Sequence, residues 1–205
     1  MKKQKRLVMM LTCLLTCVLI ITLAIGTTLA YYNNADSLTN KLVTTDSSVY
    51  LDEQFAPADD WLPGETKTKE VVFGNHGTSN QVIRFRVERA WLDESNNTWN
   101  PVISNPVTIN WRANWLNDWD DSFISDGGWY YYNKVLAIND ETDPVMESVT
   151  FSPDLANDNH IADAAHKTYR IRVYMEAADV NSDITGAEWG KKFTNNNGNV
   201  TWSAS

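Results

Sequence analysis

Cysteine is almost absent from this chain of 205 residues: its only two, Cys13 and Cys17, lie among the first 30. The remaining 175 residues can therefore form neither a disulfide nor a cysteine-ligated metal site, and a hydrophobic core alone must hold them together. A segment of this length is sufficient for one such core. We therefore expect a single domain over residues 46–205, preceded by two shorter segments.

Charge is absent from Leu7 to Ala30, directly after a basic cluster at residues 2–6. A basic start, a long apolar run and small residues at its end are the order of a secretory signal peptide. We expect residues 1–30 to form a signal helix that is removed between Ala30 and Tyr31. A run of this length could also stay as a membrane anchor, but Gly26 and the two threonines after it interrupt the apolar run. The product is therefore expected to be secreted.

Basic residues are few after Ala30. Four of the 17 Lys and Arg precede Tyr31, whereas all 26 Asp and Glu follow it, so this part of the chain has 13 basic and 26 acidic residues and a net charge of about −13. Such an excess of negative charge argues against nucleic acid or an anionic lipid surface as a partner. It is compatible with solubility, with divalent-cation binding, or with a repulsive surface that delays self-association.

Side chains that could carry catalysis are also scarce. There are three histidines, His76, His160 and His166, and neither a His-Glu-x-x-His nor a Gly-x-Ser-x-Gly motif. The Asp-rich stretch from Asp118 to Asp126 does not match the Asp-x-Asp-x-Asp-Gly calcium loop and is interpreted as solvated turns. We therefore expect no enzymatic activity, no catalytic residues, no cofactor and no metal ligands.

Apolar and polar residues alternate with a period of two, which is typical of strands with one buried face, most clearly at residues 81–88 and 169–176. Further strands are predicted at residues 49–51, 69–73, 107–112, 129–136, 147–151 and 200–202. Helix is scarce, with short turns expected at residues 158–166 and 187–193, and the tail 195–205 is expected to be frayed. The pattern predicts an all-β protein, an antiparallel jelly-roll-like sandwich.

Aromatic residues are abundant, with nine Trp and eight Tyr. Residues 129–132 are four aromatics in a row, and in a strand they must point to both faces. A sandwich without disulfides needs large core residues, so we interpret most of the aromatics as core and assign 129–136 to it. The alternative is that exposed Trp side chains stack on sugar rings, as in a carbohydrate-binding surface module.

Several short motifs occur in the order found in one family of Gram-positive secreted proteins. The junction Thr28-Leu29-Ala30-Tyr31-Tyr32 resembles the Thr-Leu-Ala-Tyr-Phe site that the signal peptidase SipW cleaves. Segments similar to the later motifs of that family occur, in the same order, at residues 62–65, 73–77, 82–87, 126–136, 142–151, 176–178 and 189–190. The chain therefore resembles the TasA/camelysin family, and within it the BsaA-type biofilm matrix proteins. It departs from the pattern at residues 137–141, where Pro-Gly-Glu is usual, and at Val180, where Gln is common.

The resemblance implies a secreted structural subunit that assembles into extracellular fibres of the biofilm matrix or cell surface. In that family an N-terminal strand is thought to be donated to the neighbouring subunit, which here places the donor within the leader, residues 31–45. The donor side chains would be Tyr31, Tyr32, Leu38, Leu42 and Val43. The implied partners are other copies of the chain, a SipW-type signal peptidase and related matrix subunits. Camelysin relatives are labelled metallopeptidases, an alternative that the missing zinc motif disfavours.

Overall fold

The computed structural model describes residues 49–55, 63–93, 95, 97–99, 106–156 and 168–205. The predicted signal peptide 1–30, the leader 31–45 with all five donor side chains, and the Ala30–Tyr31 cleavage site lie outside these ranges. The predicted helical turn at 158–166 also lies outside them.

Strands account for more than half of the described residues and helices for few of them, which confirms the all-β prediction. In chain order the strands are β1 (Val49–Phe55), β2 (Thr66–Asn75), β3 (Gln81–Leu92), β4 (Thr98–Trp99), β5 (Val107–Trp111), β6 (Trp119–Asp120), β7 (Tyr130–Tyr132), β8 (Met146–Phe151), β9 (Thr168–Asp179), β10 (Lys191–Asn196) and β11 (Asn199–Ala204). One short helix, α1 (Ile184–Trp189), precedes β10, and 3-10 turns lie at Trp115–Asn117 and Pro153–Ala156.

Two antiparallel sheets form a sandwich-like arrangement. The first sheet has the order β1-β2-β8-β5. In the second, β3 is central: it pairs with β9 along all of its length on one edge, and with β7 and β4 on the other, while β6 extends from β7. The strands β10 and β11 form a separate hairpin at the C-terminus.

The core lies between the two sheets and is built from the apolar positions of the alternating segments. Phe73 of β2 meets Phe85 of β3 at a ring-centroid distance of 5.1 Å, and both are fully buried. The same cluster takes in buried residues of β1, β5, β6, β7, β8 and β9. The sequence predicted all of these strands except β6, since in the others apolar positions alternate where one face reaches the shared core.

A second hydrophobic cluster covers the opposite face of the β3 sheet and differs from the sequence prediction. Helix α1 and the β10–β11 hairpin, together called the C-terminal layer, place Trp189 and Trp202 against Tyr131. The predicted helix at 187–193 is wrong in its bounds, because Gly190, at φ 62°, ends α1 and β10 follows directly. The tail 195–205, predicted to be frayed, instead forms the end of β10 and all of β11, with Val200 and Trp202 buried, and the strand predicted at 200–202 lies within β11.

One glycine is required by a close approach rather than by its backbone angle. Gly74 of β2 lies opposite Tyr50 of the edge strand β1, and a Cβ built on Gly74 would overlap the tyrosine ring. The same ring stacks on His76 at 4.4 Å and its hydroxyl donates to Glu141. Gly74 thus makes room for the Tyr50 ring, which connects β1 to His76 and Glu141.

We expect Gly74→Ala to lower the free energy of unfolding by about 1–3 kcal/mol, because the added methyl group must displace the Tyr50 ring. Urea denaturation followed by tryptophan fluorescence would measure the change. Gly186→Ala is the matched control: it lies within α1 and its added Cβ meets only Ser205 at 4.0 Å. A Gly74→Ala protein as stable as the control would contradict the steric argument.

Candidate strand-accepting cleft

The second edge of β3 is paired at its two ends but not between them. Strand β7 pairs with Arg84 and Phe85, and β4 pairs with Trp91 and Leu92. In the stretch 86–90, no described strand pairs with this edge. We call this stretch of the β3 edge, which has no partner among the described strands, the gap.

Main-chain groups of β3 point into this gap. Gln81 and Leu136 exchange both of their main-chain hydrogen bonds, at 3.0 and 2.8 Å, on the same edge of β3. In an antiparallel strand the groups on one edge belong to every second residue. Val87 and Arg89 therefore direct their N–H and C=O groups into the gap.

Strand β5 forms the facing wall of a cleft that opens beside the gap. It is the end strand of the first sheet, and its outer edge has no partner among the described strands. The cleft has a volume of about 420 Å³ and is lined by both polar and apolar groups; the walls include Val87, Arg89, Ile109, Trp111, Ile124 and Tyr130. A cleft between two strand edges that no described strand pairs with offers both side-chain pockets and main-chain hydrogen bonds to an added strand.

Stacked aromatic rings hold the walls of the cleft in place. Tyr130 stacks on Phe85 at 5.1 Å, and Trp111 stacks on Trp115 at 4.5 Å. Phe85 also meets Trp119 edge-on at 4.6 Å, which joins the cleft to the core. Such pairs stabilise by about 0.5–1.5 kcal/mol each beyond burial, so these walls are preorganised.

Four consecutive aromatics divide between the two hydrophobic clusters, as the sequence predicted. Tyr130 and Tyr132 face the core, whereas Trp129 and Tyr131 face the C-terminal layer. Burial raises the pKa of Tyr130 above its usual value and that of Tyr132 to about 12, so both hydroxyls stay protonated at neutral pH. The strand is shorter than predicted, since only Tyr130–Tyr132 pairs as β7.

A buried ion pair lies under the C-terminal layer, on the face predicted to be wet. Arg84 Nε and Nη2 donate to the same Oε2 of Glu176, at 3.0 and 2.6 Å, and Nη1 donates to the Tyr131 hydroxyl at 3.1 Å. The guanidinium carbon lies 4.1 Å from the ring centroid of Trp129 and 4.6 Å from that of Trp189. Arg84 is only 8% exposed. Both partners belong to the β3 sheet, and the contact of Arg84 with Trp189 joins the pair to the C-terminal layer.

The Asp-rich stretch is engaged in local contacts. Asp118 and Asp126 accept from Lys134 and Lys191, each at 2.7 Å, and Asp120 accepts from the N–H of Ser122 at 2.8 Å. Within the described ranges, no three His, Cys, Asp or Glu side chains are grouped to hold a metal ion. His160 and His166 lie outside those ranges. No helix in the described part of the chain is both long and apolar enough to cross a membrane.

Comparison of the chain with family models, with curated proteins and with solved structures finds no match.

Proposed function

We propose that this protein is a secreted structural subunit of the biofilm matrix that assembles into extracellular fibres by exchange of its N-terminal strand. The observation that carries the proposal is the cleft between β3 and β5, which is bounded by edges of both strands that no described strand pairs with. Removal of residues 1–30 by a SipW-type signal peptidase would release Tyr31 as the start of the donor. A strand seated in the cleft would complete a jelly-roll-like sandwich.

The leader has the side-chain pattern that such a cleft needs. Leu38 and Leu42 are four residues apart, so in an extended strand both lie on the same face. That face would pack on Val87, Ile109 and Trp111 in the cleft while the main chain pairs with the edge of β3 or β5. Tyr31, Tyr32 and Val43 supply further apolar area at the two ends of the segment.

The positions of donor and acceptor favour a filament. The leader precedes β1, which is one end strand of the first sheet, whereas the cleft lies beside β5, the other end strand. A contact that joins one edge of a subunit to the opposite edge of the next is heterologous. Repeated from subunit to subunit, it gives an open filament unless the rotation closes a ring. The partners are accordingly further copies of this chain and related matrix subunits with the same cleft.

Ile124→Asp tests the cleft without removing the donor. Ile124 lines the cleft and is already 42% exposed, so the fold should tolerate the change. Burying a carboxylate against the donor should raise the concentration needed for filaments by about tenfold or more. Filaments would be quantified by sedimentation and electron microscopy.

The matched control is Ile138→Asp, because Ile138 is 45% exposed and does not line the cleft. It adds the same charge to the same acidic protein and should leave assembly unchanged. Equal effects of the two substitutions would show that charge alone governs assembly. That result would contradict the proposal that the cleft accepts the donor strand.

A further inference from the structure

A second, smaller pocket lies beside the 3-10 turn Trp115–Asn117. Trp111 lines the cleft and Trp115 lines this pocket, so the stacked pair of rings stands between the two. We call it the turn pocket; its volume is about 230 Å³, and its walls include Arg112, Asn114, Trp115, Asn117, Trp119 and Tyr132. Pockets for drug-sized ligands measure about 300–1,000 Å³, so this one has room for a single ring-sized unit.

Two buried aromatic side chains bring polar atoms without a partner to the turn pocket. Trp119 and Tyr132 are 3% and 6% exposed, yet neither the indole N–H nor the hydroxyl is hydrogen-bonded to a described residue. Neither atom is fully enclosed, so each can reach the space that both residues line. Burial, followed by the nearby charge of Asp118, raises the pKa of Tyr132 to about 12, so its hydroxyl stays protonated. The inner wall therefore offers two hydrogen-bond donors to a ligand.

Two amide side chains stand at the rim of the turn pocket. Asn114 precedes the 3-10 turn and Asn117 ends it, and both are exposed. Asn114 has a left-handed backbone, at φ 62°, and its side chain makes no hydrogen bond to the turn. Neither amide has a partner among the described residues. Since each amide can both donate and accept, the rim can bond hydroxyl groups in either sense.

The charged side chains that line the turn pocket are already paired. Arg112 lies 3.6 Å from Asp143, and Asp118 accepts from Lys134 at 2.7 Å. An ionic ligand would have to displace one of these pairs, whereas an uncharged ligand would not. Trp115 is only partly buried and adds aromatic surface. An aromatic ring beside uncharged hydrogen-bonding groups matches a ligand with C–H surface and several hydroxyls, which is the chemistry of a pyranose ring.

We propose that the turn pocket binds one uncharged pyranose unit of a polysaccharide, packed on Trp115 and hydrogen-bonded to the uncharged polar side chains around it. This inference goes beyond the proposed function and does not depend on the donor strand. A site for a single unit binds weakly, with a dissociation constant of about 1 mM. A filament repeats the site in every subunit, so it would hold a long neutral polysaccharide far more tightly than one copy does.

Sugar hexamers of different charge test the class of ligand. The intact chain would be titrated, with ligand-observed NMR as the readout, against uncharged hexamers of glucose, galactose, mannose and N-acetylglucosamine. Charged hexamers of galacturonic acid and of glucosamine are the comparison. At least one uncharged hexamer should bind saturably with a dissociation constant of about 1 mM, about tenfold or more below that of either charged hexamer. Saturable binding of no uncharged hexamer, or tighter binding of a charged one, would overturn the proposal.

Asn114→Gly locates the site. Glycine keeps the left-handed backbone and removes the amide, so the affinity for the tightest-binding hexamer should fall by about fivefold or more. The matched control is Asn139→Gly, because Asn139 is also exposed, has φ 60° and does not line the turn pocket. This control should bind the hexamer as the unchanged chain does. Equal affinities of the two folded variants would place sugar binding elsewhere and refute the site.

The same variants separate sugar binding from fibre assembly. Ile124→Asp should leave the sugar affinity unchanged, since Ile124 lines the cleft and not the turn pocket, and Asn114→Gly should leave filament formation unchanged. Sugar binding that persists in a chain without filaments would count against the proposed function alone. Loss of sugar binding in a folded Ile124→Asp protein would contradict a separate site in the turn pocket.

Discussion

A chain that begins at Thr44 instead of Tyr31 should form no filaments. The deletion removes the whole proposed donor, residues 31–43, and leaves every described strand intact. Because the proposed donor is then missing from the cleft of the next subunit, the concentration needed for filaments should rise by about a thousandfold or more, which corresponds to about 4 kcal/mol. Analytical ultracentrifugation should show monomers, and electron microscopy should show no filaments.

Adding the donor back as a peptide is the matched control. A synthetic peptide of residues 31–43 should bind the shortened chain one to one and raise its melting temperature with peptide concentration, as any ligand of the folded state does. The same peptide with Leu38 and Leu42 replaced by Asn should have little effect. Filaments that persist in the shortened chain would refute the donor mechanism. An intact secreted chain that stays monomeric at high concentration would refute fibre assembly itself.

The strands could be predicted from sequence because alternation follows directly from one buried face per strand. The segment 81–88 lies within β3, and 169–176 lies within β9. The cleft could not be predicted in this way. Its walls come from β3, from β5 and from the segment before β7, and which segments of the chain meet leaves no periodic trace in the sequence.

In the hairpin of the C-terminal layer, the sequence predicted the second strand, at residues 200–202, but not the first, β10. Asn197 and Gly198 both have positive φ, at 53° and 92°, and they join β10 to β11 as a two-residue turn. Asn-Gly is the strongest short hairpin signal. The neighbouring asparagines made the segment look like a polar loop, whereas Trp202 donates its indole N–H to the carbonyl of Tyr132 at 2.9 Å and packs against Tyr131.

The ion pair under that layer shows a second limit of periodicity. Alternation correctly assigned Arg84 and Glu176 to the faces of their strands away from the core. It could not show that a later part of the chain covers this face, nor that register places the two side chains directly opposite each other. Because the C-terminal layer covers this face, the ion pair is buried. Removing one of its partners is therefore expected to lower stability much more than it would for a surface pair.

Glu176→Ala should lower the free energy of unfolding by about 3–5 kcal/mol, because it leaves the Arg84 guanidinium buried between two Trp rings without a counter-ion. Near-ultraviolet circular dichroism should lose signal from Trp129 and Trp189 as the C-terminal layer loosens, and urea denaturation would give the free energy. The double variant Arg84→Met with Glu176→Leu should recover most of the loss, since it removes both charges and keeps the volume.

A comparison with the surface pair Lys134–Asp118 decides whether burial causes the large loss of stability expected for Glu176→Ala. Its nitrogen–oxygen distance, 2.7 Å, is nearly the same as the 2.6 Å between Arg84 and Glu176, but its side chains are 46% and 28% exposed instead of 9% and 12%. Asp118→Ala should therefore cost less than about 1 kcal/mol. If Glu176→Ala costs no more than Asp118→Ala, then water reaches Arg84 in solution, and the C-terminal layer is not closed over the β3 sheet.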